Sequence, residues 1–181
     1  PAEALPILCR VIHTTADFSY RDTLTITDGA IEKAKEAIRR GLPIITDTTM
    51  AASGINKTAA GKFGIEVHCF IGDEDVKAKA KESGMTRSAV SVEKAAGCYP
   101  ECIYAVGNAP TALMRLYELI EEKKIRPALI IGVPVGFVNV VEAKELVLRT
   151  DVPAIVARGR KGGSNIAAAI CNALLYEAGG R

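Results

Sequence analysis

His13 is followed at once by Thr14, Thr15 and Asp17, where an apolar segment gives way to a polar one. Histidine titrates near neutral pH, and neighbouring hydroxyl and carboxylate groups can fix which ring nitrogen carries its proton. That makes His13 a candidate general acid or base. A surface or helix-capping histidine fits the same residues. The other histidine, His68, lies inside the segment EVHCF and reads as a half-buried structural residue. Cationic candidates accompany His13. Arg10 lies one helical turn before it, Arg87 and Ser88 follow Thr86 at a helix start, and Arg158, Arg160 and Lys161 bracket a glycine turn. A guanidinium there can hold a carboxylate in two-pronged fashion, although a solvated surface charge is the ordinary role of an arginine.

Three glycine-bearing turns, GNAP from Gly107, GVPVGF from Gly132 and GRKGGSN from Gly159, each follow a short apolar run and precede a helical pattern. Glycine lets backbone approach a ligand, and amides at a helix N-terminus favour anions. Plain turn chemistry explains any one of the three, but three together in a small domain favour a site. A dinucleotide fold wants GxGxxG after its first strand, and a phosphate-binding loop wants GxxxxGK[ST]; neither is present. The residues alone therefore point to a glycine-lined, locally basic cleft for a polyanionic ligand that is not a nucleotide.

The elements that must position these groups are legible from periodicity. Short apolar runs near residues 43–46, 65–71, 102–106, 128–131 and 153–157 read as five strands. Leu5, Leu8, Val11 and Ile12 form a helical row with Pro6 in its first turn, and residues 13–27 read as loop. Further helices are expected over 28–40, 73–84 and 86–97, after Pro110, from Val140, and over the alanine-rich end from Ile166. Strands alternating with helices imply right-handed crossovers. The expected fold is a three-layer α/β/α domain with a mostly parallel sheet of about five strands, spanning residues 1–181 as one unit.

Composition narrows the function classes. Hydrophobic residues make up 49% of the 181, enough for a full core, while aromatics are only 5% and Trp is absent, so that core must be aliphatic. With 23 basic and 21 acidic residues, the balance argues against a nucleic-acid partner. No apolar run approaches the roughly 20 residues of a membrane span. Five cysteines, an odd number and without zinc-like spacing, suit free thiols and a cytoplasmic location, with no protein metal site.

The blocks RVIHTTAD (residues 10–17), GLPIITDTTMAASGI (41–55), TRSA (86–89), GNAPTAL (107–113), GVPVGFVNVVEAKE (132–145) and GRKGGSNIAAA (159–169), in this order, resemble the precorrin-8X methylmutases, also called precorrin isomerases. TRSA alone is a weak signal, whereas GNAPTAL followed by GVPVGFV at this interval is highly specific. The resemblance implies a homodimeric isomerase of corrin (cobalamin) biosynthesis that moves a methyl group from carbon 11 to carbon 12 of precorrin-8X or cobalt-precorrin-8, giving hydrogenobyrinate or cobyrinate. It implies no cofactor, since any cobalt arrives with the tetrapyrrole. A non-catalytic corrinoid-binding relative is the alternative. It also implies His13 as the group that protonates, or hydrogen-bonds to, the macrocycle, and Arg10 and Arg87 as residues that grip it. Together with Ser88, Gly107, Asn108, Gly136, Gly163 and Ser164, these form the expected substrate site, at the carboxyl edge of the sheet. Members of the family carry a segment ahead of the first helix that contributes to that site, whereas this sequence begins a dozen residues before His13.

Overall fold

The computed structural model describes residues 2–180. The described residues form a single six-stranded sheet. The strands are β1 Leu24–Ile26, β2 Ile44–Thr46, β3 Val67–His68, β4 Ile103–Val106, β5 Leu129–Gly132 and β6 Ala154–Ala157, laid side by side as β1-β6-β5-β4-β2-β3. All neighbours run parallel except β1, which pairs antiparallel with β6 through Leu24↔Ala157 and Ile26↔Ile155.

The four inner strands are apolar except for the buried Thr46 that ends β2, because both of their faces are covered. In β4 the period of two is plain. Ile103 and Ala105 enter a core with Ile44, Leu129, Ile131 and Ile155, while Tyr104 and Val106 enter a second core with Ile45, Ile130 and Val156. The first core is closed by α1 (Leu5–Thr15), α3 (Ala30–Arg39), α4 (Thr49–Gly54), α5 (Lys57–Gly61) and α10 (Ser164–Ala178). The second is closed by α7 (Arg87–Cys98), α8 (Pro110–Glu121) and α9 (Val140–Leu148), with α6 (Glu74–Ser83) packed outside α7.

Helix α10 is the hub of the first layer, packing against α1, α3, α4 and α5. Its small residues make this possible. A methyl group added at Gly54 would lie 2.8 Å from the Cβ of Ala168, so α4 and α10 approach more closely than larger side chains allow. Helix starts follow local chemistry. Thr86 Oγ1 accepts from the Ala89 amide at the start of α7, and Pro110 opens α8, where its missing N–H costs nothing.

Two expectations change. Residues 13–27 are not simply loop, since α1 runs on to Thr15 and is followed by α2 (Tyr20–Thr23) and then β1. The alternation TLTIT is too short to announce a strand by itself; β1 exists because the open side of β6 offers it partners, extended by Thr27 N–H to Ala154 O at 3.0 Å and Arg158 N–H to Thr23 O at 2.9 Å. The strand expected over 65–71 contracts to Val67–His68. It is an edge strand that pairs only with β2, and beyond it Phe70 O closes a turn onto the Asp73 amide. His68 there stacks between Phe70 and Tyr99, with ring centroids 5.7 and 4.9 Å away.

Candidate active site at the carboxyl edge of the sheet

Parallel strands deliver the loops after β2, β4, β5 and β6 to one edge. The chain moves outward from β2 to β3 and returns on the other side of β2 as β4, so the gap between β2 and β4 is the point where such sheets open a crevice. Here that crevice is filled by the protein itself. Asp47, directly after β2, is buried, and its carboxylate accepts three backbone N–H groups of the β4 loop: Gly107 at 2.8 Å on Oδ1, then Asn108 at 2.8 Å and Ala109 at 2.7 Å on Oδ2. Burial pushes the Asp47 carboxyl up while the three amides pull it back. Three donors converging on its two oxygens favour the ionised form against that burial. The amides ahead of α8 are thus committed to an internal carboxylate, not free for a ligand's.

The same edge is knitted further. Thr48 Oγ1, which caps α4 through the Ala51 amide, lies 2.7 Å from Ser164 Oγ at the start of α10. Gly107 backs directly onto this point, and a Cβ there would lie 2.6 Å from Ser164 Cα. A Cβ at Gly162 would lie 2.1 Å from the Val133 carbonyl oxygen, which also accepts the Gly163 amide at 2.8 Å. The Gly136 amide donates to Arg160 O at 3.2 Å. At Gly107 and Gly162 the missing side chain therefore lets one loop rest on another.

Of the expected site residues, Gly107, Asn108, Gly163 and Ser164 are brought together in this way, with Gly136 beside them through Arg160. Arg87 and Ser88 join through their neighbour, since Thr86 Oγ1 donates to Thr111 Oγ1 on α8 at 2.8 Å. Arg87 and Asn108 are exposed there. Val135, Phe137 and Val138 of the β5 loop are exposed as well, Phe137 to 89%, which adds an apolar wall to the polar edge.

His13 and Arg10 lie on α1, outside the glycine loops. They line an open groove of about 670 Å³ with Pro6, Cys9, Ala173 and Tyr176, where α1 runs along α10. The Arg10 guanidinium sits 4.4 Å from the centroid of the Tyr176 ring. Helix α1 ends at Ala16, which adopts a left-handed conformation (φ 54°), and the next residue ties it to the carboxyl edge. Lys161 Nζ, in the β6 loop, donates to Asp17 Oδ2 at 2.6 Å and to Ser19 Oγ at 3.0 Å. The bonds that Asp17 accepts from Lys161 and Ser19 hold its carboxyl down at about 2. His13 is thus exposed in the last turn of α1, one turn before this anchor.

Two of the cations bracketing the last glycine turn are internally paired. Lys161 serves Asp17, and Arg158 makes a two-pronged pair with Glu145 at 2.8 and 2.7 Å. Two important groups escape a motif-based reading. Asp47 carries a faint signal, an acid immediately after an apolar run. Lys144 carries a better one, lying four residues after Val140 and three before Val147 on an otherwise apolar stripe; it is buried in α9.

The family model described as precorrin-8X methylmutase (CbiC) matches residues 1–177. A cobalt-precorrin-8 methylmutase of Leptospira interrogans is 44% identical, covering 96% of this chain and 82% of the relative. Another, from Salmonella typhimurium, is 48% identical over 94% of this chain and 80% of the relative. The crystal structure of a precorrin-8X methylmutase from Thermus thermophilus superposes with a TM-score of 0.90 at 39% identity, covering 97% of this chain and 86% of the other. An α/β/α sheet of this topology, a family match over nearly the whole chain and these identities agree: the chain belongs to the precorrin-8X methylmutase family of isomerases.

Proposed function

We propose that this protein moves the methyl group from carbon 11 to carbon 12 of precorrin-8X or cobalt-precorrin-8, with His13 as the acid–base group. The observation that carries the reading is the family match over residues 1–177 combined with an exposed His13 whose helix is anchored to the loop edge by Lys161. A methyl shift around a conjugated macrocycle leaves no net oxidation, so the protein's task is to hold the ring and to place a proton or hydrogen bond on it. His13 supplies the proton. Arg87 and Arg10 grip the acetate and propionate arms, Ser88 and Asn108 add hydrogen bonds, and the wall at Gly136 meets the flat face, while buried Gly107, Gly163 and Ser164 hold the loops behind it. No cofactor is required, because any cobalt enters as part of the substrate.

The active assembly is a homodimer. Leu5 on α1, exposed to 58%, and Phe18, exposed to 76%, leave apolar surface beside the His13 groove and beyond its end that a second copy would cover. Light scattering at micromolar concentration should give twice the chain mass. A cytoplasmic location suits a biosynthetic enzyme of this class, and no described helix is long and apolar enough to cross a membrane.

The test is incubation of the purified protein with precorrin-8X and, separately, with cobalt-precorrin-8. Conversion to hydrogenobyrinate or cobyrinate, followed by visible spectrum and mass, supports the reading. A folded protein that binds either compound without converting it would select the corrinoid-binding alternative.

A further inference from the structure

Among the described residues, Lys144 is the one lysine or arginine buried in the fold. Helix α9 needs an apolar residue at this position, and burial pushes the amine down to about 8. The ammonium nevertheless has a defined task. Nζ donates to Gly159 O and to Lys161 O, both at 2.8 Å, and so grips the turn after β6 from inside.

That turn is held at successive points. Gly159 adopts φ +81°, Arg160 O takes the Gly136 amide and the Gly163 amide reaches Val133 O. The same residue whose carbonyl Lys144 grips sends its own side chain outward, because Lys161 Nζ binds Asp17 and Ser19 just past the end of α1. Asp17 in turn accepts the Ser19 amide at 2.9 Å, which fixes the carboxylate that Lys161 meets. The Asp17 amide donates to Thr15 Oγ1 at 3.2 Å, so a continuous chain of contacts runs from the interior of α9 to the last turn of α1.

We propose that Lys144 is a positioning residue for the reaction: it fixes the turn after β6 so that Lys161 and Asp17 hold the end of α1, and with it His13, in place. The proposal rests on the reading of His13 as the acid–base group. Lys144 itself touches no substrate. It acts through two carbonyls and one surface ion pair. Such a chain transmits position and not charge, so its loss lowers kcat more than it raises KM, since small misplacement of a reacting group is costly.

Lys144→Met keeps the length and apolar packing of the side chain while removing its donors. Lys144→Met and Asp17→Asn should each lower kcat by roughly 10- to 100-fold, with KM nearly unchanged. The double variant should be no slower than the slower single one, since both changes break one chain. The chain contains only two histidines, so the His13 ring proton can be assigned by NMR with a His68→Gln reference. That signal should shift in Lys144→Met and in Asp17→Asn without any ligand. An unchanged kcat in Lys144→Met, or losses that multiply in the double variant, would overturn the proposal. If the parent fails to convert substrate, the functional reading fails first, and an unmoved His13 signal in Lys144→Met would separately overturn the positioning claim. Should Lys144→Met not fold, Lys161→Met, at an exposed position, breaks the chain one link later. It must then show the same loss of kcat and the same His13 shift, and parent-like values would overturn the proposal.

Discussion

Replacing Asp47 by Asn tests how the carboxyl edge is held. The carboxylate takes one N–H on Oδ1 and two on Oδ2. An asparagine must put its NH2 group where one of these oxygens was. In its better orientation it loses the Gly107 bond and faces that amide with a second donor; in the other it loses both Asn108 and Ala109. One unsatisfied buried N–H costs about 1–3 kcal/mol, and each remaining bond loses about 1 kcal/mol when its acceptor is no longer charged. Removing a desolvated charge offsets part of this, because burial already works against the ionised form. The expected net loss is about 2–4 kcal/mol, a large share of the ~5–15 kcal/mol that typically stabilises a domain. The chain lacks Trp, so urea unfolding is followed by circular dichroism and tyrosine emission at one fixed protein concentration. The midpoint should fall with little change in slope. A stability within about 0.5 kcal/mol of the parent, the range usual for surface substitutions, would refute the account of how the β4 loop is held.

Other outcomes follow from the same geometry. Gly162→Ala should destabilise by about 1–3 kcal/mol or more, because its Cβ would fall 2.1 Å from a backbone oxygen that cannot retreat; thermal unfolding reads this directly. Arg87→Ala, on an exposed residue, should leave stability intact while weakening substrate binding by roughly 10-fold or more, the worth of a charge-assisted bond, as read by titration of the visible absorbance. Asp17 is depressed to about 2, so its contribution is fully present above the unfolded carboxylate value and is lost as pH falls through about 2; the end of α1 should stay docked at pH 4, and amide exchange across residues 13–19 checks this.

What the sequence discloses tracks how local the cause is. The strands near 43–46, 102–106, 128–131 and 153–157 are apolar runs buried on both faces, and the structure places β2, β4, β5 and β6 within a residue or two of them. The Thr86 cap and Pro110 at a helix start act within one turn and are equally legible. β1 is not, because three residues become a strand only through pairing with β6, some 130 positions away. The site divides in the same way. The glycine turns are visible as punctuation, but that Gly107 and Gly162 make room for Ser164 and Val133, and not only for a ligand, depends on contacts between distant segments. Asp47 and Lys144 are ordinary charged residues in the sequence. Their roles arise when folding buries each of them opposite backbone groups from another loop.

His13 is the residue on which the proposed methyl shift depends most. The most direct measurement is single-turnover conversion of cobalt-precorrin-8 and precorrin-8X by the parent and by His13→Ala, with binding followed in the same samples. His13 is exposed, so the variant should fold normally and keep most of its affinity for the macrocycle while its rate falls by roughly 10²–10⁴-fold. Conversion by His13→Ala at the rate of the parent would contradict the account.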